Sequence, residues 1–238
     1  MKHKATYFLT HLCIFTPIMF NKSSASTRTL QLNENKTKKT ILAQAPTLSP
    51  QALKVSLIAY IYALKNQLTT SSIISLIDYS LPSTKKRLWV INLSTSKILF
   101  HTYVAHGKST GLILAKKFSN KNNSHKTSIG FYLTQSPYMG KHGLSLHLQG
   151  LDPGFNSHAL KRHIVIHSAP YATARFIKQY GYLGRSWGCP AIPPKMLKPI
   201  INIIKNKTLL IAYYPNQRWI NASTLLKNDK KPYKNIAA

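Results

Sequence analysis

The sequence predicts an α+β fold rich in β-structure, with helices at its periphery and a secretion signal in front. Three observations carry that reading. Short β-branched and aromatic runs recur at residues 87–93, 97–104, 162–167 and 208–214. Two segments with helical spacing and defined starts, residues 50–66 and 193–205, stand among them. A hydrophobic share of 44% over 238 residues is enough to bury a core, which excludes collagen-like, coiled-coil and wholly disordered chains.

The first element reads as an address. Lys2 and Lys4 precede an apolar stretch over residues 5–20, and Ser23-Ser24-Ala25 supply the small residues that a signal peptidase reads. Cleavage is expected after Ala25, giving a signal peptide over residues 1–25; the alternative is an uncleaved anchor. Cleavage removes Cys13 and leaves Cys189 as the single thiol of an exported chain, so a disulfide framework is excluded. Residues 26–48 are polar and aperiodic and read as a flexible leader. The folded domain is expected over residues 49–218, and residues 219–238 as a loose basic tail.

Within the domain, Ser49 is an N-cap with Pro50 at the first helical position, and Leu53, Leu57, Ile61 and Leu64 follow at helical spacing. Residues 72–78 read as extended. Residues 87–93 and 97–104 flank a Ser-Thr-Ser turn and form a hairpin. Residues 118–128 are a polar loop, and residues 129–134 a strand. Arg162-His163-Ile164-Val165-Ile166-His167 reads as a buried strand ending in histidine. Residues 172–180 make a short helix closed by Gly181, and Pro193-Pro194 opens another.

Charge narrows the chemistry. The chain carries 33 Lys and Arg against 4 acids, Glu34, Asp78, Asp152 and Asp229, for a net charge of +29. Four scattered acids do not support a glycosidase carboxylate pair or a two-metal site. Losing the signal leaves a net charge of about +26, a field that attracts an anionic cell envelope. No zinc-finger spacing, RNA-binding signature or basic heptad helix is present, so no specific nucleic acid is expected as a partner.

The reactive groups converge on His167 and Cys189. A cysteine nucleophile needs a base, donors for the oxyanion, and room for a carbonyl to approach. Gly188 removes a side chain beside Cys189, and Pro190 fixes the exit of the loop. The amides around Gly188 and Cys189 are candidate oxyanion donors. His167 ends a rigid strand 22 residues upstream, which leaves room for a helix and a return loop. Each residue alone has a structural reading: His167 as a core histidine, Cys189 as a small buried hydrophobe, Ser186 as a turn residue and Trp187 as core.

Ser186-Trp187-Gly188-Cys189, with His167 on a strand ending Ile166-His167-Ser168, resembles the murein L,D-transpeptidase catalytic domain. The subgroup whose loop reads Gly-Arg-Ser-Trp-Gly-Cys-Pro agrees further, at Asp78-Tyr79-Ser80, Arg87-Leu88-Trp89-Val90, Val104-Ala105-His106-Gly107, Phe118-Ser119-Asn120, Thr127-Ser128-Ile129-Gly130, His142-Gly143-Leu144-Ser145-Leu146 and Gly150-Leu151. The resemblance covers about residues 53–215. It departs from the broader family in having Trp187 where His is usual and Pro190-Ala191 after the cysteine. Arg185 is the candidate for the guanidinium that the broader family carries after it.

The resemblance implies a mixed sheet folded into a sandwich with peripheral helices, in the periplasm or cell wall. It implies that His167 takes the proton of Cys189 while the Ser168 carbonyl orients the imidazole. The thiolate attacks the third residue of a peptidoglycan stem peptide and releases the terminal D-alanine. A neighbouring stem amine then accepts the acyl group, and water as acceptor gives L,D-carboxypeptidase activity instead. Arg185, Ser186, Trp187 and Gly188 form the loop, and Tyr138, His142 and His147 are candidates for the substrate groove. The resemblance implies that no metal or cofactor is needed, and carbapenems acylate the cysteine of this family. The competing reading is a catalytically idle module that binds the anionic envelope through its basic surface. The oligomeric state is open.

Overall fold

The computed structural model describes residues 34–227, His142 excepted. The expected signal peptide, Cys13 and the end of the basic tail lie outside the described residues. Helices α1 (Glu34–Gln44) and α2 (Pro50–Lys65) lead into β1 (Ile73–Asp78), β2 (Leu88–Asn92) and β3 (Lys97–Thr102). A long irregular stretch precedes the hairpin of β4 (Gly130–Gly140) and β5 (Gly143–Gly150). The chain then runs through β6 (Val165–Ser168), α3 (Ala174–Tyr180), β7 (Ala191–Ile192), α4 (Pro194–Ile204), β8 (Leu209–Tyr213) and α5 (Gln217–Ala222) to a 3-10 turn at Thr224–Leu226.

Among the described residues, eight strands form one mixed sheet in the order β3-β2-β1-β8-β4-β5-β6-β7, with β1–β8 and β6–β7 its parallel pairs. Its central strands are apolar on both faces, as the period of two requires when both faces are covered. Ile74, Leu76, Trp89, Ile91, Phe131 and Ile211 face a core roofed by α1, α2 and α5. Ile77, Leu88, Val90, Tyr132, Leu146 and Leu210 face a second core shared with Leu197, Ile200, Ile201 and Ile204 of α4.

The sheet nearly closes on itself. Beyond β3, the Ala105 amide donates to the Ala191 carbonyl of the opposite edge strand at 2.8 Å, and Gly107 pairs with Ser186. The chain leaving β3 therefore meets the opposite edge at these two bridges, giving the expected sandwich a barrel-like character. The loop that carries Cys189 lies in this seam, between the two bridges.

Local signals account for several elements. The Ser49 hydroxyl accepts the Ala52 amide at 3.3 Å and Pro50 opens α2. Gly181 closes α3 at φ +79°.

Other parts differ from the sequence reading. Residues 34–44 of the expected flexible leader are helical, and Ile41, Ala45 and Leu48 are buried. Their i, i+4, i+7 spacing forms a narrow apolar stripe that the surrounding Lys, Thr and Asn residues dilute. The Gln44 amide fixes this helix to the β2–β3 turn by donating to the Ser96 carbonyl at 2.7 Å.

The expected loose tail is packed as far as Leu226. Trp219, Ile220, Leu225 and Leu226 are buried, while Trp219 Nε1 and the Ser223 hydroxyl donate to the buried Asp152 carboxylate at 2.9 and 2.5 Å. Strand β5 was not foreseen. The expected strand over residues 162–167 begins only at Val165, because the chain turns at His163, whose φ is +52°.

Candidate active site

Strand β6 sits between β5 and β7, with His167 opposite Ser145 on one side and Ala191 on the other. That parallel register brings the residues just before Ala191, Cys189 included, alongside the start of β6, where the Val165 amide and the His163 carbonyl face the thiol. Helix α3 and its return loop make the crossover, as parallel pairing requires. Only 5% of His167 is exposed. Its Nδ1 lies 2.9 Å from the Ser168 carbonyl oxygen. A carbonyl can only accept, so Nδ1 carries a proton and donates it to Ser168.

Cys189 is a half-buried free thiol whose Sγ is 3.6 Å from the His163 carbonyl oxygen. Burial pushes the thiol above its ordinary range. The Val165 amide, the Arg162 guanidinium and the Lys141 ammonium pull it back in part. The resting group is therefore a thiol donating to a carbonyl, and it needs a base before it can attack.

Ser186 laces the loop. It is buried, accepts the Gly188 amide at 3.1 Å and donates to the Cys189 carbonyl at 2.6 Å. Thr127 adds a second tie, donating to the Gly188 carbonyl at 3.2 Å and accepting the Gly107 amide at 2.9 Å. Gly188 has φ +127°, and a β-carbon there would lie 2.8 Å from the Lys126 carbonyl oxygen. Its amide is engaged by Ser186. The amides of Cys189 and Trp187 donate to no group among the described residues, so they are available to an incoming acceptor.

The remaining sequence-predicted residues are spread around this centre. Trp187 is not core: it is 68% exposed, its ring lies 4.7 Å from that of His125, and Lys108 Nζ sits 5.4 Å from its centroid. Arg185 donates to the carbonyls of Lys108 and Gly111 at 3.2 and 3.4 Å and so braces the neighbouring loop. Tyr138 and His147 stack face to face at 4.1 Å on the β4–β5 hairpin. Burial and the nearby His163 lower the basicity of His147. His142 lies outside the described residues.

Two residues that sequence reasoning missed belong to the site. Arg162 donates to the carbonyls of Ser119 and Lys126 at 2.7 and 2.6 Å and to the Ser128 hydroxyl at 2.5 Å. It packs under Gly188 and is the guanidinium that acts on the thiol. A lone arginine at the head of an apolar β-branched run was the available signal. Tyr171, half-buried, has its phenol pushed up to about 12 by burial and by the nearby Cys189, so it remains a donor.

A groove of about 170 Å³ lies between the 122–125 loop, the 161–163 turn and Trp187; Cys189 does not line it, but His163, whose carbonyl meets the thiol, does. Lys161, Arg162, His125 and His163 give it a basic lining. Among the described residues, no three His, Cys, Asp or Glu side chains gather as a metal ion needs.

Residues 44–213 match the L,D-transpeptidase catalytic domain. The chain matches none of the curated proteins. Among solved structures it is similar to the L,D-transpeptidase from Mycobacterium smegmatis, at 13% identity over 60% of this chain and 59% of that one, with a TM-score of 0.39. It is also similar to LdtMt1 in complex with imipenem, at 14% identity over 59% and 58%, with a TM-score of 0.36. The L,D-transpeptidase from Stackebrandtia nassauensis gives 11% identity over 76% and 90%, with a TM-score of 0.37. The aligned part spans less than two thirds of the first two structures. With its catalytic-domain match covering most of the sequence, the chain belongs to the L,D-transpeptidase catalytic-domain family.

Proposed function

We propose that the protein is a cysteine acyltransferase of the exported cell envelope that acts on peptidoglycan stem peptides. The observation that carries this reading is the β6–β7 register together with the His167–Ser168 contact. His167, its Nδ1 held by the Ser168 carbonyl, stands on the strand that pairs with the segment just after the loop carrying the single thiol of the domain.

His167 Nε2 takes the thiol proton as Sγ attacks the carbonyl of the third stem residue. The carbonyl oxygen becomes an oxyanion facing the Cys189 and Trp187 amides. The C–N bond to the terminal D-alanine breaks, and its amine leaves with the proton from His167. A stem side-chain amine then attacks the thioester, His167 takes its proton, and the thiol is restored. Water in place of the amine gives the carboxypeptidase outcome. The basic groove suits a donor that carries free carboxylates.

Purified protein and its Cys189→Ala variant, incubated with tetrapeptide muropeptides, decide the matter by mass. Cross-linked or trimmed products that require Cys189 support the reading, and equal product from both overturns it. One observation favours the idle envelope-binding module: burial holds the thiol protonated. Under that reading neither protein yields product.

A further inference from the structure

We propose that the loop over residues 111–114 docks the protein on the surface of an anionic phospholipid bilayer. Leu112, Ile113 and Leu114 are three consecutive apolar side chains, 47%, 39% and 41% exposed. Apolar side chains displayed side by side are unfavourable in water unless something covers them.

The display is built into the fold. Gly111 has φ +156°, and a β-carbon there would lie 1.9 Å from the Leu114 carbonyl oxygen, so the loop is folded tightly on itself. The Thr110 carbonyl accepts the amides of Lys116 and Lys117, and the Ile113 carbonyl accepts the Ser83 amide at 2.8 Å. The Gly111 carbonyl is held by His106 Nε2 at 3.1 Å and by Arg185. A backbone fixed at so many points presents the three side chains outward without an ordering cost on binding.

The surroundings name the partner. Lys108, Lys116 and Lys117 are exposed on either side of the apolar triplet, and Lys85 and Lys86 are exposed on the turn that Ser83 joins to Ile113. Of the acids in the described chain, Asp78 and Asp152 are buried and Glu34 lies on α1. A short apolar tip inside a lysine collar matches a headgroup layer, where the tip enters the acyl boundary and the lysines meet anionic lipid. Three side chains are too few for the core of a protein interface of about 800 Å² per partner. Through Arg185 and the Gly107–Ser186 pair, docking would hold the Cys189 loop next to the bilayer. The inference does not depend on the acyl-transfer reading.

The full chain carrying Ile113→Trp tests it, read as the difference from the unmodified protein, whose Trp89, Trp187 and Trp219 emit in both, so that the added signal reports the loop whatever the N-terminal segment does. Brominated phosphatidylglycerol vesicles should shift its emission to the blue and quench it, with little effect from brominated phosphatidylcholine. The triple variant Leu112→Ser, Ile113→Ser, Leu114→Ser should bind phosphatidylglycerol vesicles at least about tenfold more weakly. It should keep its melting temperature and its rate of Cys189 alkylation. No quenching, equal quenching by both lipids, a triple variant that binds as tightly, or an emission shift by self-association without vesicles would each overturn the proposal.

Discussion

Ala105 and Ala191 pair across the seam where the sheet closes, and the Cys189 loop hangs between that pair and the bridge from Gly107 to Ser186. The loop's position is thus set by strand pairing on both sides. Gly107 shows how little room the seam leaves: a β-carbon there would lie 2.5 Å from the His125 carbonyl oxygen and 3.0 Å from Gly188 Cα. Gly107→Ala is expected to displace the loop and lower the acylation rate by about tenfold or more, while costing about 1–3 kcal/mol of stability. Urea unfolding and carbapenem acylation, followed by intact mass, read the two effects separately.

Arg162 gives a prediction in two parts. Arg162→Gln removes the cation that favours the thiolate, so the midpoint of Cys189 alkylation should move to higher pH. It also removes charged hydrogen bonds to the 119–128 loop, a loss of about 2–3 kcal/mol. Arg162→Lys should restore much of the midpoint and little of the stability, because an ammonium keeps the charge without the fork. Identical midpoints in all three proteins would remove Arg162 from the site.

A buried pair under the loop makes stability depend on acid. Arg87 Nη2 donates to His106 Nδ1 at 2.7 Å, so the ring is neutral and gives its Nε2 proton to the Gly111 carbonyl. Burial and the facing guanidinium lower the His106 pKa from 6.5 to about 4. The folded state therefore binds fewer protons than the unfolded state between those values. The stabilisation is complete above pH 6.5 and is lost as pH falls through about 4, by roughly 3 kcal/mol in all. Urea midpoints across that range should fall for the unmodified protein and fall less for His106→Gln.

How much of this was legible depended on whether the signal was local. Ser49-Pro50 and Gly181 announce their helix ends because capping is a contact within a few residues. His167 and Cys189 stood out because a Gly-Cys-Pro loop after a strand ending in histidine is a dense local pattern. Strand β5 carried a period-two signal in Leu144, Leu146 and Leu148 that went unread beside its polar neighbours. The burial of Trp219 and Ser223 depends on Asp152, about 70 residues away, and no window of sequence displays that contact. Arg162 reads in sequence as the first residue of a strand, since its partners lie on a loop that sequence shows only as polar. The raised thiol pKa is likewise a property of packing.

Cys189→Ser should keep the fold and lose turnover. The hydroxyl fits the same half-buried place, but its proton is held far more tightly than the thiol's. Circular dichroism and thermal unfolding should match the unmodified protein, and muropeptide products should be absent. Retained products would remove Cys189 from the nucleophile's role.

The pH dependence of Cys189 acylation by a carbapenem, in the unmodified protein and in His167→Ala, tests the central claim most directly. If His167 is the base for a thiol that burial keeps protonated, the variant should be slower by about 100-fold to 10,000-fold near neutral pH. The two rates should converge at high pH, where the thiolate forms without help. Superimposable profiles across the whole range would contradict the account and leave Cys189 an ordinary buried thiol.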